Sequence, residues 1–192
     1  MENVLILGNA GPLGELIQRK LSLNSGYRTF LFNGSKDQRR SYLNFLSDTN
    51  VIVSLLGPMD VDLAFEALFA AIHRIQPPLK QFIMLSSAGI NHEVKGSLNH
   101  PGINNLKEYI DEQQYAIKIV EEEELPYTIL RPVNLTNRKF SHRPMIINEG
   151  HPVPAGVVSY QTLADLVDQI IDNQSYLNRS IAVVDKKEPN YD

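Results

Sequence analysis

Val4-Leu5-Ile6-Leu7-Gly8-Asn9-Ala10-Gly11-Pro12-Leu13-Gly14 opens the chain, an apolar run that breaks into glycines spaced by three. The short run of Val, Leu and Ile reads as a buried strand, and the residues after Gly14 read as a helix. Glycines between such a strand and helix let the backbone turn tightly. They also let the main chain approach a pyrophosphate, whose charge then rests at the helix N-terminus. The G-x-x-G-x-x-G spacing thus points to a dinucleotide-binding loop. The alternative is a strand-to-helix turn that uses glycine for its geometry alone. The buried strand directly in front favours the nucleotide.

Strand and helix patterns alternate outward from that loop. Leu16, Ile17 and Leu21 keep helical spacing up to Asn24-Ser25-Gly26, a C-terminal stop. Thr29 to Phe32 reads as a second strand, Ser41 to Ser47 as a short helix, and Val51 to Leu56 as a third strand. Asp60 to Ile75 predicts a helix whose apolar stripe is Leu63, Ala67, Ala70, Ala71 and Ile75, stopped by Pro77-Pro78. Phe82 to Leu85 is a fourth strand, followed by a polar loop from Asn91 to Gly102 and a long helix from Leu106 to Val120. Tyr127 to Leu130 is a fifth strand. Residues 134–156 read as irregular, with one short strand at Met145 to Ile147. A helix from Thr162 to Ile171 and a strand from Ile181 to Val184 complete the pattern. Continuous apolar strands separated by helices predict an α/β three-layer sandwich, a Rossmann-like parallel sheet of about six strands covered on both faces. Such sheets bind ligands beyond the carboxyl ends of their strands. The glycine loop, Gly57-Pro58, Ser86-Ser87 and Arg131-Pro132 all fall at such ends.

A length of 192 residues predicts one domain, residues 1–192, and a net charge of −4 argues against nucleic acid or an anionic membrane as the main partner. With no cysteine there is no disulfide framework and no thiolate chemistry. No apolar stretch approaches the roughly 20 residues of a membrane span. The first strand begins too early to leave room for a signal peptide, so a cytoplasmic protein is expected. The five histidines, His73, His92, His100, His142 and His151, do not pair at metal-ligand spacings, and no metal is expected. His73 reads as a surface residue; His92 and His100 lie on the polar loop above the sheet, from which either could reach a substrate, and solvent exposure is the expectation for both. Glu121 to Glu124 read as a solvated helix end and Arg131 as structural first.

On these residues the chain resembles the atypical short-chain dehydrogenase/reductase family, specifically its small NmrA-like or flavin-reductase-like NAD(P)H-binding proteins. The matching pieces are residues 8–14, Val51 to Gly57, Phe82 to Gly89, Tyr127-Thr128-Ile129-Leu130-Arg131-Pro132 and Val158-Ser159-Tyr160. The resemblance implies that Gly8, Asn9, Ala10, Gly11, Pro12, Leu13 and Gly14 hold a pyrophosphate. It further implies that Leu56 and Gly57 border the adenosine. Ser86, Ser87 and Ala88 would lie under the nicotinamide ribose, and Pro132 and Val133, with Asn134, would flank the nicotinamide.

Three features depart from the family pattern. An acid about 20 residues past the glycines would bind the ribose hydroxyl of NAD and repel the phosphate of NADP. Here the second strand ends in Asn33-Gly34-Ser35-Lys36, and Asn33, Ser35 and Lys36 can accept a 2′-phosphate, so NADP is expected with NAD as the alternative. Between Asn33 and Asn50 there is room for one short helix but not for the usual third strand, which predicts a strand order of 2-1-3-4-5-6. Finally, the oxidoreductases pair a tyrosine with a lysine four residues on, whose charge lowers the phenol pKa. The matching spacing here is Tyr109 and Gln113, and glutamine carries no charge. Ser87 and Tyr109 remain the candidates for proton transfer; the alternatives are a turn-forming serine and a tyrosine that packs on the sheet.

The function expected is hydride transfer from NAD(P)H to a flavin, a quinone or a small carbonyl. Residues 134–156 would form the substrate-side cover, leaving the pocket open or completed by a second subunit in a homodimer. The rival is a non-catalytic NAD(P)-binding redox sensor, which the missing lysine and the shortened adenosine side both favour.

Overall fold

The computed structural model describes residues 1–8, 11–138 and 143–185. The chain runs β1 (Glu2–Leu7), α1 (Pro12–Leu23), β2 (Tyr27–Leu31), α2 (Arg39–Leu46), β3 (Val51–Ser54), α3 (Val61–Ile75), β4 (Gln81–Leu85), β5 (Val94–Lys95) and α4 (Leu106–Glu122). It continues through β6 (Tyr127–Pro132), β7 (Asn134–Thr136), β8 (Pro144–Asn148), β9 (Val153–Pro154), β10 (Val157–Ser159), α5 (Tyr160–Asn173) and β11 (Arg179–Asp185). The opening run forms a central strand, with Val4 to Leu7 fully buried.

A seven-stranded sheet in the order β2-β1-β3-β4-β6-β11-β8 is the frame. All its pairs are parallel except the last, where β8 lies antiparallel on β11. The anticipated order holds, and β8 adds an edge strand where the sequence suggested a short one. Nothing among the described residues lies outside β2, which agrees with a missing third strand. Two short pairs, β7 with β10 and β5 with β9, organise the cover and part of the loop expected to be irregular.

Alternate residues of each strand feed two separate cores, as a sheet covered on both faces requires. Val4, Ile6, Val53 and Leu130 meet Leu13, Ile17, Leu163 and Val167 of α1 and α5. Leu5, Leu7, Ile52 and Ile129 meet Tyr42, Phe65, Leu68 and Val120 of α2, α3 and α4. On the first face Lys20 reaches from α1 to Asp165 of α5 at 2.8 Å.

The apolar stripe predicted for α3 is corrected in part: Ala71 is buried and Ala67 and Ile75 pack against the same core, but Leu63 and Ala70 do not belong to it. The face turned inward carries Val61, Phe65, Leu68, Phe69 and Ile72, whereas Leu63 is 52% exposed and Ala70 is also at the surface. The helix is apolar on most sides, so several stripes fit its sequence. The one chosen buries two phenylalanines, which remove far more apolar surface from water than alanines do.

Phe65 sits edge-on to both Phe69 and Phe82, with ring centroids at 5.8 and 5.5 Å. Phe65→Ala is expected to destabilise the protein by about 3–5 kcal/mol through the cavity it leaves. Leu63→Ala should stay within roughly 0.5 kcal/mol of the parent. Urea unfolding of the two variants checks both values.

Candidate functional site

The parallel register makes β1, β3, β4 and β6 end along one edge, and the turns that follow them meet there. Leu55 N–H donates to the Leu7 carbonyl at 2.9 Å, and Ser86 N–H to the Leu130 carbonyl at 2.8 Å. Ala88 N–H donates to the Pro132 carbonyl at 2.9 Å, so the ladder extends past the strands into the turns.

The glycine loop stands at this edge. A Cβ on Gly8 would lie 2.6 Å from the Leu55 carbonyl oxygen, so only glycine lets β1 leave the sheet so close to the turn after β3. Gly11 has φ 151°, a conformation side chains rarely adopt, and among the described residues beyond its chain neighbours nothing stands within 4 Å of where its Cβ would be. The main chain there faces open space at the start of α1, as a phosphate cradle must. Pro12 fills the first turn, where its missing N–H is no loss. Leu13 and Gly14, in the first turn of α1, are buried. Asn9 and Ala10 lie outside the described residues.

Past the end of β2, Asn33 and Ser35 are exposed. Lys36 donates to the Met59 carbonyl at 3.1 Å and stands 3.6 Å from the Asp60 carboxylate. It therefore links the end of β2 to the turn after β3. Leu56 packs on the α2–α4 core and Gly57 is exposed at the same edge.

A cavity of about 280 Å³ opens beyond β4 and β6, and Ser86, Ser87, Pro132, Val133 and Tyr109 line it. Ala88 is not among its walls; it is fully buried in the α1–α5 core, drawn inward by its bond to Pro132. Tyr109 and Gln113, one turn apart on α4, are both buried and share the inner face. Burial holds the Tyr109 phenol above its ordinary pKa, and a hydrogen bond with the Ser87 hydroxyl opposes that shift. At neutral pH the phenol is therefore protonated and can donate. Ser86 has a different task. Its hydroxyl donates to Gln113 Oε1 at 2.8 Å, while Gln113 Nε2 donates to the Pro58 carbonyl at 3.4 Å. Where the oxidoreductases carry a lysine, this chain has a neutral strut tying α4 to two strand ends.

Arg131 is structural, as expected. Its guanidinium is 1% exposed and pairs through Nη1 with Glu93. Glu93 also accepts the backbone N–H groups of Gly89 and Asn91 at 3.1 and 3.0 Å, closing the turn that follows Ser87 and Ala88. His73 is exposed and pairs with Glu123. His92 is exposed as anticipated, but His100 is not free in solvent: it packs on Tyr109 with ring centroids 5.4 Å apart. Leu98, Asn99 and Tyr160 also line the cavity. The sequence signal for these was only that the loop between β4 and α4 must cross the ligand edge. Among the described residues, no cluster of His, Asp or Glu could hold a metal ion, and no helix is long and apolar enough to cross a membrane.

Residues 20–174 match the model of a family described as NAD(P)H-binding. The chain belongs to that family. The match begins inside α1, beyond the glycine loop, so the family is recognised from the rest of the domain. Sequence comparison with curated proteins gives no match. Among solved structures, a short-chain dehydrogenase/reductase from Veillonella parvula superposes with a TM-score of 0.82 at 20% identity, covering 100% of this chain and 99% of that one. A second from the same organism, in complex with NADP, gives 0.79 at 19% identity and covers 98% and 95%. A Rossmann-fold NAD(P)-binding family protein from Shigella flexneri gives 0.79 at 21% identity over 100% of both chains. At such identities the superpositions establish the family's fold, and the site of this chain rests on its own residues.

The Arg131–Glu93 pair gives this subsection its test. Glu93→Ala leaves a buried guanidinium without its counter-charge and should cost about 3–5 kcal/mol. Arg131→Met in the Glu93→Ala background should recover much of that loss in thermal unfolding, because no uncompensated charge remains.

Proposed function

We propose that the protein is an NAD(P)H-dependent oxidoreductase that passes a hydride to a flavin, a quinone or a small carbonyl compound. The observation that carries this reading is the cavity at the carboxyl edge of the sheet, which Ser87 and the buried Tyr109 line together. The residues fit the nucleotide. Gly8 and Gly11 with Pro12 to Gly14 form the phosphate side, Asn9 and Ala10 complete that stretch of sequence, and Leu56 and Gly57 border the adenosine. Ser86, Ser87, Pro132 and Val133 frame the nicotinamide end.

Bound NAD(P)H would supply the hydride. The protein supplies orientation and a proton. Ser87 hydrogen-bonds an acceptor oxygen, and Tyr109 gives it the phenolic proton. Because Gln113 cannot lower the phenol pKa, this site is suited to donating a proton during reduction and poorly suited to removing one. A cytoplasmic location belongs to the same reading, since reduced nucleotide is found there.

NADP is the preferred nucleotide in this proposal. Asn33 presents no negative charge to a 2′-phosphate, and Lys36 need only leave Asp60. An exposed pair of that kind holds it by about 1 kcal/mol or less. The fold neighbour in complex with NADP is consistent with that preference.

Thermal unfolding with NADPH, with NADH and with neither tests binding. Nucleotide at 1,000 times its dissociation constant should add about 4 kcal/mol of stability. Gly11→Val should abolish the shift, and Lys36→Ala should weaken NADPH roughly tenfold, about 1.4 kcal/mol, with little effect on NADH. No stabilisation by either nucleotide contradicts the proposal. The Gln113 strut favours a second reading, a redox sensor that binds without turnover. Stabilisation without NADPH oxidation across flavin, quinone and aldehyde acceptors would select it.

A further inference from the structure

The cavity beyond Ser87 has a property that the expected acceptors do not share equally: among the described residues, none of its lining side chains is an acid, a lysine or an arginine. Pro58, Leu98, Pro101, Ile103 and Leu135 give it apolar walls, and its polar groups are hydroxyls, amides and one imidazole. A phosphate brought here would meet no fixed cation, and desolvating an unpaired charge is costly. The cavity, about 280 Å³ in all, must also take the nicotinamide end, which leaves room for little more than one ring.

The imidazole is held in place. Leu98 packs against Gly89, where a Cβ would come within 2.9 Å of its Cδ1, so the loop can fold back over the turn after β4. Asn99 N–H donates to Asn134 Oδ1 at 2.7 Å, and Asn134 Nδ2 donates to the Gly156 carbonyl at 3.1 Å. These bonds fix the segment on either side of the cavity mouth and bring the His100 ring against Tyr109 at 5.4 Å.

Resting on the oxidoreductase reading, we propose that the acceptor is an uncharged, ring-sized carbonyl compound, a quinone or an aldehyde. We propose also that His100 serves as the proton source behind Tyr109 in place of the absent lysine. The carbonyl carbon takes the hydride that NAD(P)H supplies, and the C=O π pair moves onto oxygen. That oxygen takes the proton of the Tyr109 phenol, and the phenolate takes a proton from the His100 imidazolium, which is recharged from solvent. The products are an alcohol or hydroquinone and the oxidised nucleotide. His100 acts through Tyr109 and does not itself touch the carbonyl.

Burial lowers the His100 pKa; among the described residues Tyr109, from α4, is the titratable ring packed on it. The imidazolium is then lost as pH rises through a value below that of free imidazole. NMR titration of the histidine Cε1–H signals in nucleotide-free protein, with His100→Gln assigning the resonance, should show His100 titrating below the ordinary imidazole value. Its pKa should change in Tyr109→Phe. In turnover, kcat with an uncharged quinone or aldehyde should fall as pH rises through the His100 pKa. His100→Gln should lower kcat at least tenfold at pH 6, flatten that limb and leave NADPH affinity unchanged. Flavin mononucleotide should be reduced at least tenfold less efficiently than the neutral acceptors. A His100 that titrates like a free imidazole, an unchanged pH profile in His100→Gln, or a preference for flavin mononucleotide overturns this inference while nucleotide binding stands. Binding without turnover of any acceptor overturns it too. Absence of nucleotide binding overturns the reading beneath it.

Discussion

A parallel sheet buried on both faces has to send every crossover through a helix, and it therefore collects its strand-to-helix turns along one edge. That constraint governs the molecule. The sequences after β1, β3, β4 and β6 are unrelated, yet the ladder bonds that join their ends place them within one ligand-sized region. Gly8 illustrates the tightness of the arrangement, since a single added carbon would strike the carbonyl of Leu55 in the neighbouring turn. Chemistry at this edge is consequently borne by backbone geometry first and by side chains second.

Side chains then divide between holding the edge together and facing the ligand. Ser86, Gln113, Arg131 and Glu93 belong to the first group. Gln113 is the most instructive of them, because its position in the helix is the one from which a lysine would act on the tyrosine. In this chain the amide bridges Ser86 and the Pro58 carbonyl, and the electrostatic effect is gone. Ser87, Tyr109 and His100 line the cavity instead, where the described side chains carry no acid, lysine or arginine.

The sheet was legible in the sequence because central strands must be apolar on both faces. Runs such as Val51 to Ser54 and Phe82 to Leu85 admit few other readings. The missing third strand was legible too, from the lack of room between Asn33 and Asn50. The inward face of α3 was not, because an apolar helix offers several stripes and the winner depends on which side chains fill the space above Ile52 and Phe82. Ala88 looked like part of the nucleotide site by its place after Ser87, and its backbone bond to Pro132 pulls it into the core instead. His100 was legible as a loop residue within reach of a substrate, but its packing on Tyr109 was not. Its position depends on Gly89 admitting Leu98 and on Asn134 binding Asn99, contacts between distant segments that no local pattern encodes.

The central claim is that the strand-end edge, with its glycine loop and its uncharged cavity, binds a nicotinamide nucleotide in one defined orientation. A crystal structure of the protein with NADPH tests it most directly. The account predicts the pyrophosphate against residues 8–14 and the nicotinamide between Ser87 and Pro132, with Tyr109 and His100 on its open side. Nucleotide bound elsewhere on the surface, or reversed in this site with adenine in the cavity, would contradict it.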